Sequence, residues 1–516
     1  MSRKINLKHP RKYKNTEIEI INENILNSDS LVRDLTQNIN ILKGIFKSCD
    51  DVIFREFIIP TINIQACAVY IDNIVDKSVI NDNVINPIMS ECSVGINDMD
   101  RLVHELSSKI INAGSVRITK DLKDIITFIL SGHCLIITDD SDDVILIDSR
   151  KFEQRRVSEP QSEAVVIGPR EGFIENISVN ISLIRKRIKS TELKVEMIQI
   201  GKYSKTDIAI LYIDGIIDNT ILNEVRTRLS KINIDAIIES SYIEQFIEDN
   251  RFTPMPLISR TERPDAVTSA LLEGRAAIMT DGTPFALLVP SVFIHYVQSS
   301  EDYYQKLYAA TAIRFLRYIL LAISLLGPAI YIAVTNFHTE MVPAPLLVSI
   351  METRARVPFP AIVEALLMEF TFEALREASI RLPKTIGQAV SIVGALVIGQ
   401  AAVEAGIVSQ IMVIVVAVTG IASFATPSYD LGLAIRLLKF PFMALGSILG
   451  IFGIMSGLVA LLIHLASLES FTVPYLAPLA PIYFSDWQNV IYRTPLPFMK
   501  KRPLFLKPRN KNRMGD

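Results

Sequence analysis

The stretch YILLAISLLGPAIYIAV, residues 318–334, contains no charged side chain. A run of that length and character is long enough to cross the hydrocarbon of a bilayer as a helix. Outward from it, residues 318–484 hold 16 of the chain's 108 charged side chains, and the other 92 lie outside that segment. The chain is therefore two materials, polar and then apolar, joined near residue 317. Arg314 and Arg317 sit just before the first apolar run, where long stems let the heads snorkel to a cytosolic interface. Further apolar spans are read at 386–403 and 407–424, around the short Glu404-Ala405-Gly406 turn. A last one at 440–468 is long enough for a tilted or broken span. Four crossings return the chain to its starting side. The tail after residue 484, with Lys500, Lys501, Arg502, Lys507, Arg509, Lys511 and Arg513, then belongs in the cytosol by the positive-inside rule.

The whole-chain numbers narrow the classes. With 516 residues, 53 basic and 55 acidic side chains and a net charge of −2, the protein is neither disordered nor a basic nucleic-acid binder, so no nucleic-acid partner is expected. The opening MSRKINLKHPRKYK has basic residues but no apolar core, so 1–30 reads as a basic arm and not a cleaved signal peptide. Cys49, Cys67, Cys92 and Cys134 lack metal-type or redox-type spacing and read as reduced packing residues. No nucleotide loop, zinc motif or nucleophile elbow occurs, and the six histidines are scattered. The expectation is a non-enzyme without cofactor or metal.

The polar half compares with itself at one offset. Tyr70-Ile71-Asp72 recurs as Tyr212-Ile213-Asp214, Asp139 of SGHCLIITD matches Asp281 of EGRAAIMTD, and Asn38 matches Asn180, each 142 positions apart. Each copy runs from a helix-period apolar pattern into β-branched strands. Each closes with a hairpin, CLIITDDSDDVILID and AAIMTDGTPFALLVP, the second with an Asp281-Gly282 turn. The expected fold class is α/β plus α-helical membrane: two duplicated cytosolic α/β domains followed by a polytopic transmembrane helical domain. The boundaries are 31–150 and 173–290 with linker 151–172, connector 291–317, membrane region 318–484 and basic tail 485–516.

Two segments of the apolar half carry chemistry. Residues 357–381 have a helical apolar face, yet Glu364, Glu369, Glu373 and Glu377 occupy others, and bare carboxylates cannot face lipid cheaply. Two readings fit. The segment is an interfacial helix whose acids are solvated and partly paired with Arg376 and Arg381, or the Glu369, Glu373, Glu377 ridge lines a wet vestibule that concentrates cations. Helix 386–404 presents a mostly small ridge, Gly387, Ser391, Gly394 and Ile398, and an i+4 stripe of Gln388, Ile392, Leu396, Gln400 and Glu404. A ring of such helices would have hydrated mouths and an apolar middle that stops ions by dewetting; an ordinary packed span fits the same spacing. Gly446, Gly450, Gly453 and Gly457 read as close-packing positions.

Long segments carry a family resemblance: residues 239–290 (ESSYIEQFIEDNRFTPMPLISRTERPDAVTSALLEGRAAIMTDGTPFALLVP), then EDYYQK, FHTEMVPAPLL, VPFPAIVEALLMEFTFEALREASIRLP and IGQAVSIVGALVIGQAAVEAGIVSQIMVIVVA. They resemble the A subunit of GerA-type spore germination receptors over about residues 31–480. Ser241 stands where the family usually has Gly, and Thr339 where it commonly has Gln. The resemblance implies a multi-pass subunit in the spore inner membrane, with a transporter-like B subunit that binds the nutrient and a lipoprotein C subunit. It also implies homo-oligomers, pentamers, around a centre that conducts monovalent cations once nutrient binds. An accessory paralogue acting without its own B and C subunits is the alternative within the family, and a secondary transporter the alternative outside it.

Overall fold

The computed structural model describes residues 31–60, 62–72, 74–91, 99–150, 159–160, 163, 165–382, 397–490 and 492–514. The basic arm at 1–30, half of the linker at 151–172 and Cys92 lie outside them. The chain forms two compact units, Met1–Val157 with Ile174–Ile198 and Asp207–Asp214, and Ser158–Phe173 with Gln199–Thr206 and Gly215–Asp516.

In the first unit, α1 (Leu35–Ile45) starts where the Asp34 carboxylate accepts from the Gln37 amide. β1 (Val52–Ile59), β2 (Ile64–Ile71), β3 (Val116–Thr119), β4 (His133–Thr138) and β5 (Val144–Asp148) form an antiparallel sheet in the order β1-β2-β4-β5-β3. Period-two alternation gives the sheet two dry faces. Cys67, Val69 and Ile71 pack under α1 and α2 (Leu122–Leu130), while Ala66, Ala68 and Tyr70 pack against Ile80, Val84 and Leu102 of the short helical segments between β2 and β3. Cys49, Cys67 and Cys134 are buried free thiols. Burial pushes the Cys67 thiol up to about 12, which keeps it protonated and inert.

α3 (Ile177–Arg187), β6 (Leu193–Ile200) and β7 (Thr206–Ile213) follow, β6 hydrogen-bonded to β7. The offset of 142 is visible in side-chain geometry. Asn38 clasps Val32, donating to its carbonyl (2.5 Å) and accepting from its amide (3.0 Å); Asn180 does the same to Ile174 at 2.6 and 2.9 Å. Asn176 caps α3 through Val179 as Asp34 caps α1 through Gln37. Buried Arg185 of α3 forks onto buried Asp51, with Nε and Nη2 donating at 2.8 and 2.7 Å.

The second unit carries α4 (Asn219–Ser230), α5 (Ser240–Ile247), β8 (Ser259–Thr261), α6 (Pro264–Glu273), β9 (Ala276–Thr280) and β10 (Ala286–Val289). Its antiparallel order β9-β10-β8 repeats β4-β5-β3, and Gly282 turns the second hairpin with φ +85°. The basic tail folds onto this part: Arg502 Nε donates to Leu272 O at 2.8 Å and the Arg509 amide to Ile216 O at 2.9 Å.

The helices that follow include α7 (Leu307–Phe337), α8 (Ala344–Arg354), α9 (Ala361–Arg381), α10 (Gln410–Ser423) and α11 (Tyr429–Ser467). α7 and α11 are long and apolar enough to cross a membrane, and only 33% and 22% of their most apolar windows are buried. Core helices of a water-soluble protein would hide those windows, so the exposed apolar faces fit lipid or another chain. Two sequence expectations change. Arg314 and Arg317 do not snorkel: both are buried and converge on buried Asp302, and each also donates to a backbone carbonyl, Asn489 O and Val297 O. A low-dielectric site makes that shared carboxylate a better partner than a distant headgroup. The segment read as one span at 440–468 turns back on itself at Gly450, as described next.

Candidate functional site

At Gly450 φ is +62° and ψ −144°, a conformation open essentially to glycine alone. It breaks α11 into arms 429–449 and 451–467. A Cβ on Gly453 would overlap Leu445 O, and one on Gly457 would lie 2.8 Å from Leu445 Cδ1 and 3.0 Å from Phe442 Cε1, so the arms run antiparallel in contact. Both arm ends return to the α/β part of the same unit, where Asp430 is forked by Arg260 and His464 Nε2 meets Thr253 Oγ1 at 2.9 Å. The tip lies against the end of α7: the Ile451 amide freed by the break donates to His338 Nε2 at 3.4 Å, and a Cβ at Gly450 would meet that atom at 3.0 Å. Gly446 brings the first arm onto α7, where a Cβ would stand 2.8 Å from Ala329 O.

α9 and α10 run side by side. Glu364, 1% exposed, accepts from the Ser409 amide at the start of α10 (2.8 Å) and lies 3.6 Å from Arg354. Its negative charge sits at the positive end of the α10 dipole. Two turns on, Phe372 fills the gap at Gly420, and near the other end Arg376 Nη2 donates to Ser423 Oγ at 2.6 Å. Along the first arm of α11, Lys439 pairs with Glu369, both buried, and lies 3.4 Å from Glu373, which also receives Arg436 Nη1 at 3.1 Å. The acidic ridge read from the sequence is thus largely a row of ion pairs. Glu369 and Glu373 face cations of α11, and Glu377 is exposed and bonded to Arg381. Sequence reasoning named Arg376 and Arg381 but missed Lys439 and Arg436, which lie on an arm 60 to 70 positions away and carry no local pattern.

Of the proposed pore stripe, Gln388, Ile392 and Leu396 lie outside the described residues, as do Gly387, Ser391 and Gly394 of the small ridge. Residues 397–404 are helical, with Gln400 and Glu404 exposed, and Gln400 Nε2 donates to Glu404 Oε1 at 2.8 Å. Among the described residues no ion pair reaches Glu404, unlike Glu364, Glu369, Glu373 and Glu377.

Fold and site together define a protein with an α/β portion and an apolar helical portion braced by buried ion pairs. The family model described as "Bacillus/Clostridium GerA spore germination protein" matches residues 40–505, and the chain belongs to that family. Among its relatives, spore germination protein KA of Bacillus subtilis (strain 168) is 44% identical over 482 residues, 93% of this chain and 88% of that protein. A second B. subtilis relative, the uncharacterized membrane protein YfkQ, is 42% identical over 470 residues, covering 91% of each chain. A crystal structure of the N-terminal domain of the A subunit of the Bacillus megaterium spore germinant receptor GerK3 is similar at 35% identity with a TM-score of 0.41, covering 51% of this chain and 97% of that one.

Proposed function

We propose that this chain is the A-type subunit of a nutrient germinant receptor in the spore inner membrane, and that identical copies, five in number, surround a pathway for monovalent cations lined by helix 386–404. A transporter-like B subunit takes the nutrient and a lipoprotein C subunit completes the receptor. The observation that carries the pore is Glu404. An exposed carboxylate on a helix of an apolar bundle needs water, a cation or another chain, and its four counterparts on α9 each have a basic partner within the chain. A shared aqueous axis satisfies it, with Gln400 beside it and Leu396 and Ile392 forming the closed apolar middle. Glu377, exposed at the end of the α9 ridge, shares its charge with Arg381, so the ridge braces the bundle and leaves Glu404 to draw cations. The contacts support six crossings: α7 outward, α9 inward, 386–404 outward, α10 inward, and the two arms of α11 out and back. They also support a duplicated ancestry for 31–150 and 173–290, because caps, clasps and strand order recur at one offset.

Conductance of the purified protein in planar bilayers tests the pore. Glu404→Gln is expected to lower cation-over-anion preference, while Leu396→Ala or a polar residue at Ile392 raises basal current and lets spores germinate without nutrient. Unchanged selectivity in Glu404→Gln removes that residue from the pathway; dormant, non-conducting Leu396→Ala spores would falsify the stripe.

A further inference from the structure

Beside the ion pairs of α9 and α11 lies a cavity of about 530 Å³ that no part of the proposed conduction path uses. One wall is apolar, from Phe372, Leu375 and Ile380 of α9 and Phe424 at the end of α10; the other carries two guanidinium groups, Arg376 and Arg436. Arg376 is sandwiched by aromatics, its guanidinium carbon 4.2 Å from the Phe424 ring centre and 5.3 Å from that of Phe372. Its Nη2 is spent on Ser423, but its buried Nε–H has no hydrogen-bond partner. The charges agree: the charged side chains of the lining are Arg376 and Arg436, and it includes no carboxylate.

Depth selects the ligand. The cavity opens at the α10–α11 junction, close to Asp430, which Arg260 of β8 ties to the α/β part. On the six-crossing reading proposed above, on which this inference rests, that is headgroup level on the side of the positively charged tail. Basic recesses between helices at that level recognise anionic headgroups, and the adjoining apolar wall suits an acyl chain.

We propose that the cavity binds one acidic phospholipid, its phosphate on Arg376 and Arg436 and its proximal acyl chain along Phe372, Leu375 and Ile380. Arginine suits this role because its planar fork meets two phosphate oxygens at once. A free phosphate would use the cations and leave the apolar wall uncovered; a zwitterionic lipid would do the reverse and gain no net charge match.

The test uses the full-length protein in nanodiscs of phosphatidylcholine, titrated with phosphatidylglycerol, with additional phosphatidylcholine or with inorganic phosphate, and read by melting temperature and native mass spectrometry. Phosphatidylglycerol alone should raise the melting temperature and remain bound. Arg376→Gln should weaken that binding by about tenfold, as expected for one lost charge-assisted hydrogen bond. Arg376→Lys, which keeps charge but not the fork, should fall between, and Lys306→Gln, a basic residue at the start of α7 outside the cavity, should bind as wild type. Equal stabilisation by phosphatidylcholine, or by inorganic phosphate, overturns the proposal, as does unchanged binding in folded Arg376→Gln. Should Arg376→Gln fail to accumulate, a photoactivatable phosphatidylglycerol on the wild-type protein decides: label within 372–380 and 423–436 supports the site, and label elsewhere or blocked by a second copy of the chain overturns it.

Discussion

Lys439 holds its ammonium at 4% side-chain exposure between Glu369 and Glu373, on a helix arm that otherwise reads as lipid-soluble. Removing one member of such a buried pair strands the other, whereas removing both leaves only a packing change. Lys439→Met is therefore expected to destabilise the protein by about 3–5 kcal/mol, and Lys439→Met with Glu369→Leu to recover most of it. Melting in detergent measures both, and equal losses in the two variants would argue against the pair as a brace. Outside the membrane helices, burial lifts the Glu244 carboxyl to about 7, against the opposing pull of Arg260 3.6 Å away. A carboxyl with a raised folded-state value stabilises the fold fully below its unfolded value of about 4.3 and loses that contribution as pH climbs through the folded value. The melting temperature should therefore fall between pH 5 and 8, and Glu244→Gln should flatten that fall; an unaltered slope would remove Glu244 as its source.

At the scale of elements, the break in α11 depends on Gly450. Alanine there meets a conformation costing about 1–3 kcal/mol and a Cβ placed against His338 and Phe337. Gly450→Ala is expected to prevent accumulation of folded protein, while Gly432→Ala, helical with open space around it, should be tolerated. Membrane levels of the two variants by immunoblot check this, and a stable Gly450→Ala would mean the arms do not need the turn. The sequence made some elements plain and hid others for physical reasons. Asp281-Gly282 between β-branched runs leaves a hairpin as the good solution, so local pattern sufficed there; the offset matched Asn38 with Asn180, but their clasps on Val32 and Ile174 show only in the side-chain geometry. Glycines spaced by three or four look alike whether they admit a neighbouring helix, as Gly446 does, or turn the chain back, as Gly450 does; only the backbone angles separate the cases. Arg314 and Arg317 were placed correctly at the start of the apolar half, but their burial depends on Asp302, which no periodicity marks.

For the whole molecule, the apolar helices are incompletely covered by their own chain. Ile414, Val418 and Ile421 of α10 and Ile448, Phe452 and Met455 around the α11 turn are exposed, a surface for lipid, for other receptor subunits and for further copies. What tells these apart is the direction helix 386–404 faces, because a carboxylate tolerates an aqueous axis and not acyl chains. The decisive measurement is particle imaging of the assembly purified in lipid, at a resolution that locates Gln400 and Glu404. The account predicts a closed ring of identical chains with both side chains turned toward its axis; either residue found against lipid, or chains that form no ring, would contradict it.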